Sequence, residues 1–146
     1  MHNQILLFAL LQITLMLLIF FTLGRQAFLF FLLQSIIAIL ILHIINYMQH
    51  YGLMRKKSAT GNYEKLDAQH AWNNGRQNSS LSLFQLENHA DHHIHPGKSF
   101  DKLKHKENSP EQPAGYSIMF LLTLVPPLWF KIMNKRIPSH LLNIQS

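Results

Sequence analysis

The sequence predicts an all-α integral membrane protein: a two-helix transmembrane hairpin, a cytoplasmic histidine-bearing helix, and a C-terminal interfacial segment. Three observations carry this. Residues 1–54 of the 146 hold one charged side chain, Arg25, while the other twelve Lys/Arg and all seven Asp/Glu lie beyond Met54. Two long uncharged runs fill that first part. Three histidines, His89, His92 and His93, then recur at helical spacing in the polar part. Some fifty apolar residues in succession exceed what a chain of this length can cover with its own core, which argues against one water-soluble domain. The absence of cysteine excludes a disulfide scaffold and Cys-ligated zinc or iron–sulfur sites. A net charge of +6 with no basic, aromatic-interleaved face excludes a nucleic-acid binder.

Residues 1–54 form the hairpin, with spans over about 5–23 and 27–49. Each run reaches the roughly 20 helical residues that a bilayer core of about 30 Å requires. The Gly24–Arg25 interruption is short, so the two spans run antiparallel. A signal peptide competes for the first run, which lacks a basic n-region and a small-residue cleavage site. Arg55, Lys56 and Lys57 follow the second span, against a lone Arg25 at the hairpin tip. The positive-inside rule therefore puts both termini and the polar part in the cytoplasm. Within the second span, Gln34, His43 and Asn46 face protein or water rather than lipid. His43 and His50 share a helix face, which allows a haem pair or, more simply, a histidine bonded to a neighbouring helix.

Residues 55–111 form a cytoplasmic His-rich cap. Residues 55–75 read as an irregular connector containing Gln69 to Asn74. Asn78, Ser79 and Ser80 can cap a helix that starts near Leu81, buries Leu83, Leu86 and Ala90, and ends at Pro96–Gly97. His89, His92 and His93 stand at i, i+3, i+4 and project from one face. Three neutral imidazoles on one face suit Fe, Zn, Ni or Cu, whereas protonating them together costs repulsion. The alternative is a solvated, His-rich helix end. Asp91 is placed to orient a ligand histidine. His95 falls beyond the face, and His105 and His140 sit in charged or terminal surroundings. His50, which closes the second span, is the fourth candidate ligand at the membrane boundary.

Residues 112–146 form a membrane-interfacial segment. The apolar run Tyr116 to Met133 is too short to span and is broken by Pro126–Pro127. Phe120, Trp129 and Phe130, followed by Lys131, Lys135 and Arg136, suit a bilayer interface.

Four landmarks in order resemble the C-terminal part of the membrane-bound alkane 1-monooxygenase family, within the membrane fatty-acid desaturase/hydroxylase superfamily. Asn46-Tyr47-Met48-Gln49-His50-Tyr51-Gly52 is similar to the family's Asn-Tyr-x-Glu-His-Tyr-Gly. Leu86 to His93 is similar to its Leu-Gln-Arg-His-Ser-Asp-His-His box. His70-Ala71-Trp72-Asn73 matches its His-x-Trp-Asn stretch, and Gly115 to Phe130 its Gly-Tyr and Pro-x-Trp-Phe segment. The resemblance implies a non-haem di-iron centre that inserts one oxygen atom from O2 into the terminal carbon of an alkane or alkyl chain. Electrons would come from a rubredoxin-type donor, in a bacterial inner membrane. It also implies that His50, His89, His92 and His93 are iron ligands, with Gln49, His70 and Asp91 around them.

Gln49 stands where the family motif has Glu, and Asn88 where it has Arg. No His-Glu or Glu-His pair occurs, so the family's two earlier histidine boxes are missing, and two spans stand against about six. The expectation is the distal part of such an enzyme, from a truncated, split or frame-interrupted gene, inactive without its N-terminal half. The alternatives are a fatty-acid desaturase or hydroxylase of the same superfamily, or a non-catalytic membrane metal-binding protein.

Overall fold

The computed structural model describes residues 3–75 and 84–139. It divides into two compact units, Met1–His43 and Ile44–Ser146. The first consists of helix α1, Gln4–His50, up to His43. Gly24 interrupts this helix at φ 84°, ψ 176°, a backbone region open essentially only to glycine. The rings of Phe20 and Phe28, on either side of the break, meet edge to face at 5.6 Å. The apolar side chains of this unit are largely exposed, Ile5 and Phe21 among the most. Among the described residues, α1 is the one helix long and apolar enough to cross a membrane.

The second unit holds the end of α1 and three short helices: α2 (His89–Ile94), α3 (Tyr116–Thr123) and α4 (Pro126–Met133). No β-strand occurs among the described residues; isolated bridges join Lys57 to Tyr63 and Asn73 to Glu111. Its core joins Met48 at the end of α1 and Leu53 just beyond it to Trp72, to Tyr116 and Met119 of α3, and to Trp129 and Met133 of α4. A smaller cluster packs Ala68 and Ala71 on Ala90 of α2. Gly52 ends α1 just beyond His50 with φ 71°, where a Cβ would lie 2.5 Å from Cδ1 of Ile137. That is the left-handed residue by which many helices stop.

The structure corrects two sequence expectations. The histidine helix is shorter than expected: Phe84 and Gln85 take left-handed backbone conformations, φ 50° and 55°. A helix cannot run through such residues, so only a 3₁₀ turn, Leu86–Asn88, precedes α2. The expected caps Asn78, Ser79 and Ser80, and Leu83, lie outside the described residues. Ala90 is buried as expected, and Leu86 packs against the core. In the tail, the break falls at the prolines, with Pro126 opening α4. Trp129, however, is 1% exposed, its ring 5.6 Å from Tyr47 and 5.3 Å from Tyr51. Packing against Tyr47 and Tyr51 buries it within the second unit, whereas Phe130, Ile118, Leu121, Leu124 and Leu128 stay exposed.

The loop after α2 is tied back by Asp91, whose side chain is fully buried. Oδ2 takes Lys98 Nζ at 2.5 Å and the Lys104 amide at 2.9 Å, while Oδ1 takes His95 Nδ1 at 2.9 Å and Lys106 Nζ at 3.1 Å. Burial alone would raise the pKa of this carboxyl. The bonds from Lys98, Lys104, Lys106 and His95 outweigh burial and hold it well below the usual range.

Two stability predictions follow from this packing. Trp129→Ala should cost about 3–5 kcal/mol, as for other large core truncations, read by thermal unfolding of the detergent-solubilised chain; an unchanged midpoint would contradict the core described above. Because the folded pKa of Asp91 lies below its unfolded value, its contribution is complete above roughly pH 4 and fades as pH falls further. Asp91→Asn should therefore destabilise the chain at pH 7 by about 3 kcal/mol, the low end for a broken buried pair. Lys98 and Lys106, 27% and 32% exposed, can turn to water and so soften the loss. The variant should also lose part of the acid-side slope of stability against pH.

Candidate metal centre

Three of the candidate ligands converge. Nε2 of His50 stands 3.1 Å from Nε2 of His89 and 3.0 Å from Nε2 of His93, and the last two are 2.8 Å apart. All three residues are half-buried. His50 arrives from the last turn of α1, and His89 and His93 from adjacent turns of α2. The i, i+4 spacing along α2 is what lets those two rings meet.

The tautomer of His50 follows from its other nitrogen. Nδ1 lies 3.0 Å from the carbonyl oxygen of His70, which can only accept, so the proton sits on Nδ1 and the Nε2 lone pair faces the other two histidines. The His70 ring is itself fixed. Its Nδ1 accepts from the Asp67 amide at 3.0 Å, which leaves Nε2 to donate to Glu64 Oε1 at 3.0 Å. The Lys56 amide and the His70 ring together hold Glu64 below its ordinary pKa.

Protons are poor occupants of the space between the rings. Burial, followed by the neighbouring His93, His50 and His92, pushes His89 down to about 3. Burial, then His50 and His92, lowers His93. The Nε2 lone pair of His50 faces Nε2 of His89 and His93; with their protons on Nδ1, those two rings would present lone pairs as well, an arrangement that a cation stabilises. A divalent ion about 2.1 Å from each of three imidazole nitrogens, at angles of 90–110°, separates those nitrogens by about 3.0–3.4 Å. Two of the observed spacings, 3.0 and 3.1 Å, fall at the short end of that range, and the third, 2.8 Å, lies just below it. The residues present therefore fit a metal ion bound by nitrogen, the donor type that suits iron, zinc, nickel and copper.

His92 stands outside this triad. It is exposed, with its ring centroid 5.9 Å from those of both His89 and His93. Of the residues expected around the ligands, His70 reaches His50 through its backbone carbonyl rather than its ring. Gln49 is buried and donates to the carbonyl of Leu86 at 3.1 Å. Asp91, expected to orient a ligand histidine, instead bonds His95, Lys98, Lys104 and Lys106; it lies between the ligands in sequence but points to the following loop. His43 bonds the Ile39 carbonyl of its own helix at 2.8 Å, not a neighbouring one. His105 pairs with Glu111 at 3.4 Å, and His140 lies outside the described residues. Sequence reasoning passed over Glu64, and it treated Trp72 and Asn73 only as motif letters although both are buried beside the site.

Residues 2–121 match the fatty acid desaturase family. The chain is 44% identical over 117 residues to an alkane 1-monooxygenase of Acinetobacter baylyi, an alignment covering 80% of this chain and 29% of that protein. It is 45% identical over 117 residues to alkane 1-monooxygenase 2 of Alcanivorax borkumensis, covering 80% and 31%. With alkane 1-monooxygenase 1 of Pseudomonas aeruginosa it shares 36% identity over 139 residues, covering 95% of this chain and 36% of the relative. The chain thus spans about a third of the length of the curated relatives it matches. The match over most of this chain, joined to the histidine cluster, identifies it as a member of the fatty acid desaturase superfamily, within the alkane 1-monooxygenase family.

Proposed function

We propose that the chain supplies one part of the histidine-rich iron centre of a membrane monooxygenase that hydroxylates the terminal carbon of alkanes or alkyl chains with O2. The observation that carries this reading is the convergence of the His50, His89 and His93 nitrogens within 3.1 Å, in a chain of this family. His50, His89 and His93 hold the iron, with His92 as the nearest further candidate. Bound iron would supply activation of O2 for insertion into an unactivated C–H bond. The chain's own residues orient the ligands: the His70 carbonyl keeps the proton of His50 on Nδ1. The half-burial of all three histidines limits the access of water to the triad.

The membrane arrangement belongs to the same reading. At 1.5 Å per residue, the 47 residues of α1 would run about 70 Å, more than twice the hydrocarbon thickness of roughly 30 Å. The glycine break and the Phe20–Phe28 contact support a fold-back into two spans. Arg55, Lys56 and Lys57 favour a cytoplasmic location for the polar part, at the inner membrane of a bacterium. Alkanes dissolved in lipid would then approach the triad from the bilayer, and a rubredoxin-type donor would deliver electrons from the aqueous side.

A di-iron centre ligated mainly by histidine needs more donors than this triad and His92. The remainder would come from an N-terminal half that carries the two missing histidine boxes. On this reading the 146-residue chain binds metal but does not turn over alone. A non-catalytic metal-binding role is the second reading, favoured by the fact that three ligands suffice for one ion.

The purified chain should bind one Co(II) or Fe(II) per molecule. His50→Ala, His89→Ala or His93→Ala should each weaken binding at least 100-fold, and His92→Ala less, measured by titration in detergent; a wild-type chain that binds neither ion would overturn the metal assignment. Given O2, reductant and octane, the iron-loaded chain should give no octanol, and sustained hydroxylation would refute the need for further ligands.

A further inference from the structure

The two halves of the triad come from segments about forty residues apart, and α2 is too short to hold its own place. Its six residues fall well below the roughly 12–15 that an isolated helix needs for even marginal stability. It also has no side-chain cap of its own, so the amides of its first turn require partners from elsewhere. Residues 72–74 provide one such partner, hold the turn just before α2, and also grip the end of α1.

The Trp72 amide donates to the carbonyl of Gln49 at 2.8 Å, and its indole Nε1 donates to the carbonyl of Tyr51 at 2.7 Å. These bonds bracket His50 on both sides. One residue further on, Asn73 Oδ1 accepts from the amide of Ala90 at 3.2 Å, within the first turn of α2. The Asn74 amide donates to the carbonyl of Glu87 at 3.2 Å. The Asn73 backbone is held in turn, its amide on the Pro110 carbonyl and its carbonyl on the Gln112 amide, both at 2.9 Å. Trp72 and Asn73 are 2% and 0% exposed, so water cannot replace these bonds when they are lost.

We propose that Trp72 and Asn73 are positioning residues that set the spacing of the histidine triad, Trp72 by fixing the end of α1 around His50 and Asn73 by capping the first turn of α2, the helix that carries His89 and His93. Neither side chain touches the three nitrogens. Each acts through the backbone that carries them. The proposal rests on the metal reading above for its consequence in binding, and on hydrogen bonding alone for its consequence in the metal-free chain.

The test compares the wild-type chain with Trp72→Phe, Asn73→Leu and Met133→Ala. Trp72→Phe keeps an aromatic side chain in the core but removes the indole donor, together with some buried volume. Asn73→Leu keeps the volume and removes the acceptor. Met133→Ala controls for simple loss of core packing. Co(II) affinity should fall about 10–100-fold in the first two, the usual range when a group supporting a metal ligand is lost. Their ligand-field absorption should shift as well. Met133→Ala should lower the melting temperature but leave affinity and spectrum unchanged. In metal-free protein at pH 8, histidine nitrogen shifts should show a single Nδ1–H tautomer for His50 in wild type and Met133→Ala, averaged His50 shifts in Trp72→Phe, and altered His89 and His93 shifts in Asn73→Leu. Wild-type affinity, spectrum and nitrogen shifts in both positioning variants would overturn the proposal. If the wild-type chain bound no Co(II), the metal reading would fall, and the nitrogen shifts would still decide the positioning claim.

Discussion

The contact among three imidazole nitrogens is the arrangement that the rest of the second unit serves. Lone pairs facing one another at about 3 Å repel, and burial of His89 and His93 disfavours protonating those two rings to relieve the repulsion. Such a cluster needs a scaffold that holds it, and on the proposed reading a cation would complete it. The scaffold is correspondingly over-determined. The end of α1 is stopped by Gly52, packed through Met48 against Trp129 and Met133, and hydrogen-bonded on either side of His50. Helix α2 is buried through Ala90 and anchored by Asn73 from outside itself.

Electrostatics around the triad are divided in a consistent way. The buried carboxylate of Asp91, which lies between the ligands in sequence, is matched by Lys98, Lys106 and His95 and bonds none of the three converging nitrogens. Its cost of burial is offset by the loop after α2, which it keeps folded. The proton on His50 is fixed by a neutral carbonyl rather than a carboxylate. A neutral acceptor orients the ring without adding negative charge, which leaves imidazole donation as the main lever on a bound metal.

Features set by local periodicity were legible in the sequence: the long apolar stretch and its interruption at Gly24, the helical spacing of His89 and His93, the proline break in the tail. So was the pairing of His50 with those histidines, through the order of its motifs. What escaped was set by distant contacts. Gln85 and Phe84 look compatible with a helix but sit in left-handed turns, and Trp129 looks like an interfacial anchor but is captured by Tyr47 and Tyr51. Asp91 lies among the ligands in sequence, yet its partners come from residues 95–106, which no spacing rule brings back to it. Trp72 and Asn73 carried a signal only as part of a His-x-Trp-Asn stretch. Their role depends on bonds to residues 49–51 and 90 that exist only once the chain has folded.

The central claim is that His50, His89 and His93 together hold one metal ion. X-ray absorption at the metal edge of the Fe(II)-loaded or Co(II)-loaded chain tests it most directly, because imidazole rings leave a distinctive outer-shell scattering pattern. The account predicts at least three imidazole nitrogens at about 2.1 Å, falling by one when His50 is replaced by alanine. A shell of oxygen neighbours without imidazole scattering, or a count unaffected by loss of His50, would contradict it.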